Sequence, residues 1–290
     1  MSQEKIKKAV REGYAKIARR EVLSCCSPTA SCCGGQDLAA TISSQVGYSE
    51  DEMQAVPEGA NLGLGCGNPV ALASLKEGEV VLDLGSGAGF DCFLAAAKVG
   101  ENGRVIGVDM TPEMVEKARG NAKKNDYRNV EFRLGEIENL PVADSAIDAV
   151  ISNCVINLAP DKKRVFEEVY RVLRPGGRVM ISDIVLLRPL PDFIMNSIAA
   201  YVGCVSGAVM KDDYMDIIRK AGFRDARVIK ETSFPMECMA NDPTAQAIVR
   251  NLDMPQEEIV KLVEGAICSV NVQAIKPEKR TRRGDLRRNS

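Results

Sequence analysis

Short apolar runs alternate with amphipathic stretches through the middle of this 290-residue chain. The runs are bounded by glycine or charged residues, as buried strands are, and the stretches between them have helical spacing. Predicted strands cover residues 79–84, 104–109, 130–134, 147–152 and 178–183, and predicted helices cover residues 90–99 and 162–173 and begin at 112. This alternation indicates an α/β fold, a parallel sheet with helices on both faces.

The two ends of the chain have a different pattern. Residues 3–22 predict a helix, and the cysteine-, proline- and glycine-rich stretch after it is incompatible with regular structure. After residue 188 we expect a helix over 213–221 and closing strands over 227–230 and 267–274. The predicted parts are an N-terminal helix with a Cys-rich segment (1–46), a ligand-binding domain (47–187), a substrate-covering region (188–276) and a basic, disordered tail (277–290).

Charge and hydropathy exclude several kinds of protein. The 38 Lys and Arg nearly balance the 40 Asp and Glu, which argues against nucleic-acid binding through a broadly basic surface. Only residues 276–290 are strongly basic, with seven cations against two anions. No apolar run reaches the length of a membrane span, and the N-terminus lacks a signal-peptide core. We therefore expect a cytoplasmic protein whose ten cysteines are reduced.

The chain contains no histidine. This absence excludes a Ser-His-Asp triad, a histidine general base and a histidine-ligated metal. A chemical mechanism for this chain must therefore proceed without imidazole.

A glycine-rich loop, D-L-G-S-G-A-G at 83–89, follows a predicted strand and opens a predicted helix. Its third glycine comes one place too early for the dinucleotide pattern G-x-G-x-x-G. Asp83 would repel a phosphate but suits an ammonium group, and Asp109 at the end of the next strand could accept hydrogen bonds from ribose hydroxyls. A cationic nucleoside with an amino-acid tail, S-adenosylmethionine, fits both acids. The alternative is a glycine turn that only packs strand against helix.

Together with V-D-M at 108–110 and V-L-R-P-G-G at 172–177, this loop resembles the class I S-adenosylmethionine-dependent methyltransferases. The resemblance implies a Rossmann-like fold, with a mostly parallel seven-stranded sheet and a reversed last strand. It makes residues 47–187 the S-adenosylmethionine-binding domain, with the methionine end at Asp83 and the ribose on Asp109. The cofactor-binding residues that it implies are Asp83, Gly85, Gly87, Gly89, Asp109, Met110, Ile137 and Glu138.

Three cysteines are candidates for the acceptor site. Cys66 lies in a glycine turn, Cys154 follows the fourth strand at the mouth of the cofactor cleft, and Cys204 lies in the region that usually covers it. Their separations of 88 and 50 residues do not fit a zinc finger. Converging thiolates would instead select a soft, thiophilic centre. The alternative is that each is a small core residue.

The motifs S-N-C-V-I-N-L and G-L-G-C-G-N-P resemble the arsenite methyltransferases of prokaryotes. The resemblance implies that trivalent arsenic binds Cys66, Cys154 and Cys204, and that its lone pair attacks the methyl carbon, so that no base is needed. It also implies a detoxifying enzyme with a thiol reductant, thioredoxin or glutathione. We expect a monomer with no nucleic-acid or membrane partner.

The other cysteines have weaker interpretations. Cys92 is expected to serve packing, and Cys238 and Cys268 are expected to be core or incidental residues. The quartet Cys25, Cys26, Cys32 and Cys33 could capture arsenic, relay disulfides or bind zinc.

Two other functions remain open at this stage. One is a methyltransferase for a small carbon or oxygen nucleophile, such as a quinone or sterol precursor, with structural cysteines. The other is a metal-sensing or metal-storage protein on a methyltransferase-like scaffold, although the glycine loop with Asp83 and Asp109 argues against it.

Overall fold

A computed structural model describes residues 2–19, 34–197, 201, 204–233 and 265–278 of the chain. One seven-stranded sheet organises these residues, in the order β3-β2-β1-β4-β5-β7-β6. The predictions for Cys25, Cys26, Cys32, Cys33, Cys238 and most of the basic tail lie outside the described residues.

The strands follow the predicted alternation closely. They are β1 (Val80–Leu84), β2 (Arg104–Asp109), β3 (Val130–Leu134), β4 (Ile147–Asn153), β5 (Leu173–Leu186), β6 (Arg224–Ser233) and β7 (Ile267–Ile275). Strands β1 to β5 pair in parallel, whereas β7 is antiparallel to both of its neighbours, β5 and β6. The predicted seven strands and reversed last strand are therefore confirmed.

Nine helices lie in the described ranges, together with a 3₁₀ turn at Ile156–Leu158. They are α1 (Gln3–Ala18), α2 (Gly34–Gln45), α3 (Glu50–Gln54), α4 (Pro69–Leu72), α5 (Phe90–Val99), α6 (Pro112–Lys124), α7 (Lys162–Val172), α8 (Asp192–Met195) and α9 (Lys211–Lys220). In this part of the chain, no helix is long and apolar enough to cross a membrane.

Burial explains why the central strands read as continuous apolar runs. In β1 and β4 most residues are buried, because helices cover both faces of the sheet. Strands β6 and β7 extend this same sheet, and Val270 and Val272 of β7 join the apolar cluster that contains Leu82 of β1. The region beyond residue 188 therefore contributes directly to the central core.

Strand β5 is longer than its sequence suggests. We predicted a strand over 178–183, but the observed strand begins at Leu173 and passes through Pro175-Gly176-Gly177. Its pairing with β4 shifts register between Ile147 and Ala149, which accommodates the irregular backbone at Gly176. Residues 174–177 were left without a predicted element, because proline and glycine are depleted in strands except at bulges.

Candidate active site

The carboxyl ends of β1 and β4 meet at the point where the strand order reverses. The chain runs outward from β1 to β2 and β3, then returns to place β4 on the other side of β1. Ligands of open α/β sheets bind at such switch points. Here the glycine loop after β1 faces the end of β4 at Asn153 and the two residues that follow it, Cys154 and Val155.

The glycine loop can approach β4 only because it has no side chain at its first turn. Gly85 has a φ of 65°, and a Cβ atom there would lie 2.2 Å from Cγ2 of Val155. The left-handed backbone and the contact both demand glycine. Gly89 has a different role, since it precedes α5 and packs against Phe93 and Phe132.

An open cleft lies beside this loop. All of the predicted cofactor-binding residues except Gly89 line it. Cys154 lines the same cleft, so the cofactor region and the first candidate cysteine share one space. Ser86 also lines it, and its buried Oγ has no hydrogen-bond partner among the described residues.

Buried carboxylates give the cleft a preference for cations. Burial, and then repulsion from Asp91, raises the pKa of Asp83 well above its usual value. Burial likewise raises the pKa of Asp91 and of Asp109. Asp109 accepts hydrogen bonds from the backbone N–H groups of Gly87 and Thr111 at 2.9 and 2.8 Å. A cationic ligand beside Asp83 and Asp91 would relieve their repulsion.

The three candidate cysteines meet although they are far apart in the sequence. Cys66, Cys154 and Cys204 are free, buried and part of one cluster. The sulfurs of Cys66 and Cys154 lie within 4.8 Å of each other. The Cys204 thiol donates to the Cys154 carbonyl oxygen at 3.1 Å. The structure therefore brings the three cysteines into one cluster, but the ligand atoms that lie within 4.8 Å of one another include the sulfurs of Cys66 and Cys154 and not that of Cys204. The role of all three as ligands stays a prediction.

Two of these cysteines adopt an unusual backbone conformation. Cys154 has a φ of 57° and Cys204 has a φ of 63°. The left-handed region is strained for side chains other than glycine, and such residues cluster at functional sites. Packing around the cluster holds both cysteines in place despite this cost.

The thiols of the cluster are protonated at neutral pH. The pKa of Cys66 is raised mainly by burial. A hydrogen bond with Cys154 and burial raise the pKa of Cys204, while a hydrogen bond from Tyr14 lowers it. For Cys154, a hydrogen bond with Cys204 lowers the pKa, but the contact with Cys66 and burial outweigh it, so that the pKa is well above normal.

A carboxylate that the sequence analysis did not single out lies against the thiols. The sulfurs of Cys66 and Cys154 and a carboxylate oxygen of Asp183 all lie within 4.8 Å of one another. Asp183 accepts hydrogen bonds from Asn157 Nδ2, at 2.9 Å, and from the Tyr214 hydroxyl, at 3.0 Å. Burial raises its pKa to about 7. Asp183 ends the predicted strand 178–183, and this position was the sequence signal that could have identified it as a site residue.

Helix α1 covers the cleft. Val10 of this helix is buried in the cysteine cluster, and Lys7, Val10 and Tyr14 line the cleft. Lys7 forms ion pairs with Glu136 and Glu138, at 2.7 and 3.1 Å. The sequence predicted this helix, over 3–22, but gave no signal of where it docks; its described part ends at Ala18.

The remaining described cysteines have distinct surroundings. Cys92 was expected to serve packing, but its thiol also donates to Asp83 Oδ2 at 3.2 Å and so contacts a cofactor-site acid. Cys268 is buried in β7, outside the cluster that holds Cys66, Cys154 and Cys204.

Known proteins resemble the chain in both sequence and fold. Residues 75–222 match the family model described as a methyltransferase domain. An arsenite methyltransferase of Halobacterium salinarum is 53% identical over 232 residues, which cover 78% of this chain and 59% of that protein. One of Aquipseudomonas alcaligenes is 38% identical over 210 residues, which cover 70% of this chain and 58% of that protein. The chain thus spans less than two thirds of the length of these curated relatives.

A solved structure agrees with these matches. The crystal structure of CrArsM, an arsenic (III) S-adenosylmethionine methyltransferase from Chlamydomonas reinhardtii, has a TM-score of 0.60 and 33% identity to this chain. The match covers 86% of this chain and 76% of that one. The resemblance found in the sequence motifs is confirmed: the chain belongs to the class I S-adenosylmethionine-dependent methyltransferase family.

Proposed function

We propose that this chain transfers methyl groups from S-adenosylmethionine to trivalent arsenic held by Cys66, Cys154 and Cys204, in a reaction that detoxifies arsenic. One observation carries the proposal. A single cleft is lined both by the glycine loop and by Cys154, which is buried in one cluster with Cys66 and Cys204. The names of the relatives support the choice of arsenic, and they do not favour a quinone or sterol substrate.

The cleft residues fit S-adenosylmethionine as the methyl donor. Asp83 and Asp91 offer buried negative charge to its ammonium and sulfonium groups, and Asp109 lies at the end of β2, where a ribose would bind. Met110 and Ile137 supply apolar surface for the adenine. When bound, the donor provides a methyl group on a positively charged sulfur.

Protonated thiols suit the binding of arsenite. Each arsenic hydroxyl leaves as water by taking the proton of one thiol, so that three As–S bonds form and three waters depart. The balance requires no base, which agrees with the absence of histidine and with the raised pKa of the thiols. A soft, three-sulfur site also selects arsenic over hard ions.

The thiols leave the arsenic lone pair available for attack. The lone pair forms the As–C bond while the bond between the methyl carbon and the donor sulfur breaks, and its electrons remain on that sulfur. The chain contributes by fixing the arsenic next to the cleft and by excluding water with the buried cluster around Cys154. Such positioning and desolvation supply up to about 7–11 kcal/mol in well-oriented systems.

Arsenic is formally pentavalent after this transfer. It returns to the trivalent state when two of its sulfur ligands leave as a disulfide, taking two electrons from the sulfurs. A thiol reductant, thioredoxin or glutathione, then reduces that disulfide by thiol–disulfide exchange.

Arsenic speciation tests the proposal directly. The chain is incubated with arsenite, labelled S-adenosylmethionine and glutathione, and the label on arsenic is measured by chromatography. We expect methylated arsenic with the wild-type chain and none above background with Cys204→Ser. The matched control is Cys268→Ser, which changes a buried cysteine outside the cluster and should keep most of the turnover.

Two results would contradict the proposal. One is a wild-type chain that binds S-adenosylmethionine but labels no arsenic. The other is full turnover by Cys204→Ser, which would leave the fold and the cofactor intact but make the cysteines structural.

A further inference from the structure

A half-buried side chain links the cysteine cluster to the cofactor cleft. Asn153 is the last residue of β4 and lines the cleft next to Cys154. Asn153 belongs to the motif S-N-C-V-I-N-L, in which the pattern alone assigns it no role. Its Oδ1 accepts a hydrogen bond from the backbone N–H of Cys66 at 3.0 Å. Because Asn153 and Cys154 are neighbours in the chain, this bond ties the Cys66 turn to the segment that carries the Cys154 sulfur.

The peptide groups around Cys66 are held on both sides. Asn153 Nδ2 donates to the Gly67 carbonyl oxygen at 2.8 Å, and the Ser269 hydroxyl donates to the Cys66 carbonyl oxygen at 2.7 Å. A Cβ atom at Gly65 would lie 2.6 Å from Asn153 Nδ2, so the turn is packed directly on the amide. Small rotations of Asn153 would therefore shift the Cys66 sulfur.

The other contacts of Asn153 reach the cofactor side. Its Nδ2 also lies 2.8 Å from the Tyr48 hydroxyl and 3.1 Å from Asp91 Oδ2. The Tyr48 hydroxyl in turn donates to Asp91 Oδ1 at 2.6 Å. The amide has two hydrogens, which are shared among three acceptors: Gly67, Tyr48 and Asp91.

Competition for these hydrogens couples the two sides of the site. The Asp91 carboxylate, which also faces the acids Asp83 and Glu52, competes with the Gly67 carbonyl oxygen for the amide hydrogens of Asn153. A cationic ligand next to Asp91 would weaken this competition and leave the amide hydrogens to Gly67. The Cys66 turn is then held more firmly in the position that faces Cys154.

We propose that Asn153 is a positioning residue that makes occupancy of the cofactor cleft strengthen the binding of trivalent arsenic at the cysteine cluster. This inference rests on the proposed function for the identity of the second ligand. By linkage, arsenic must strengthen the binding of the cofactor by the same factor. Couplings of this kind usually amount to about 5- to 150-fold in affinity.

The test uses S-adenosylhomocysteine, the product form of the donor, so that no reaction occurs. Arsenite affinity of the full chain is measured by calorimetry with and without saturating S-adenosylhomocysteine. We expect the wild-type affinity to rise about tenfold when the cleft is filled. In Asn153→Asp, which keeps an acceptor for the Cys66 N–H but loses both amide hydrogens, the ratio should fall to about one. Asn153→Ala should behave in the same way.

A matched control and a second readout separate this coupling from a loss of folding. Asn125→Asp makes the same chemical change at an exposed position at the end of α6 and should keep the wild-type ratio. Hydrogen exchange of the Cys66 amide, measured without arsenic, should slow when S-adenosylhomocysteine binds to the wild-type chain. It should not change when S-adenosylhomocysteine binds to Asn153→Asp.

These readouts keep two failures apart. A wild-type chain that methylates arsenic but shows an affinity ratio of one, or Asn153 variants that keep the wild-type ratio, would overturn the coupling alone. A wild-type chain that binds no arsenite would overturn the proposed function. In that case hydrogen exchange at the Cys66 amide still tests whether Asn153 connects the two sides. An exchange rate that S-adenosylhomocysteine does not change in the wild-type chain would reject the connection.

Discussion

The cofactor side and the cysteine side of this cleft are built in different ways. The cofactor side is local: the loop over 83–89 turns directly from β1 into α5, and backbone N–H groups hold Asp109 in place. The cysteine side is assembled from three distant segments, and its contacts reach as far as Ser269 in β7. A binding loop can thus be encoded in a few consecutive residues, whereas a cluster of soft ligands depends on the whole sheet.

The variant with the largest expected effect should impair arsenic methylation without impairing cofactor binding. Cys154→Ser should lower arsenic methylation on the order of 100-fold, because one As–S bond is lost and the arsenic is misplaced. Binding of S-adenosylhomocysteine should change little, since the glycine loop remains. Methylation assays and calorimetry check the two halves of this prediction. Parallel losses of both properties would mean that the two sides are not separable.

The complementary variant acts on the cofactor side. Asp109→Ala removes the carboxylate that would hold the ribose and should weaken S-adenosylhomocysteine binding about 10- to 100-fold, as expected for charged hydrogen bonds. The intrinsic affinity for arsenite, measured with the cleft empty, should stay close to that of the wild type. Calorimetry with each ligand alone gives both values, and an unchanged cofactor affinity would reject the ribose assignment.

The pH dependence of stability tests the burial of the Asp183 carboxylate on the cysteine side. The pKa of Asp183 is about 7 in the folded chain against an ordinary value of 3.8. The folded state therefore binds this proton more tightly, and the associated stability is fully present below pH 3.8 and is lost as the pH rises through 7. Asp183→Asn should remove this loss. The free energy of unfolding of the variant minus that of the wild type should therefore increase by about 1–3 kcal/mol from pH 5 to pH 8.

Denaturant unfolding at a series of pH values measures this difference. The matched control is Asp213→Asn, which makes the same change at an exposed position of α9. Wild-type and Asp183→Asn curves that run parallel from pH 5 to 8 would show that Asp183 does not titrate in this range.

The smallest expected effect concerns the cover of the cofactor side. Lys7→Ala removes the ion pairs of α1 with Glu136 and Glu138 and should speed S-adenosylhomocysteine dissociation about two- to fivefold at low salt. The increase should shrink at high salt, where the wild-type pairs are screened. Lys8→Ala is the control, because Lys8 is exposed and pairs only loosely within α1. Equal dissociation rates for both variants would mean that α1 does not close the cleft electrostatically.

The sequence predicted the cofactor side better than the cysteine side for a physical reason. Strand, glycine turn and helix follow one another in the chain, so their pattern specifies the loop over 83–89 without tertiary information. The meeting of Cys66 with Cys154 came from motif resemblance, which carries tertiary information that spacing lacks. The predicted start of strand β5 was wrong because the proline and glycines at 175–177 lie within the strand, next to a register shift.

Polar residues that connect distant segments gave no usable signal. Nothing in the residue type or the sequence position of Asn153 and Tyr48 marks them as functional. Their role depends on the fold, which brings both side chains against Asp91. Tyr14 reaches Cys204 only because α1 docks over the cleft. Side-chain hydrogen bonds between remote segments have no period in the sequence, so they become visible only in the structure.

At Cys154 and Cys204 the left-handed backbone lowers the stability of the fold, whereas the proposed chemistry requires the cysteine side chains. Glycine occupies this conformation without steric cost, so a glycine at either position would suit the local backbone better than the native residue does. Sulfur is thus retained where the main chain alone favours its removal. Selection for thermal robustness alone would therefore be expected to erode the proposed arsenic chemistry, beginning with these two residues.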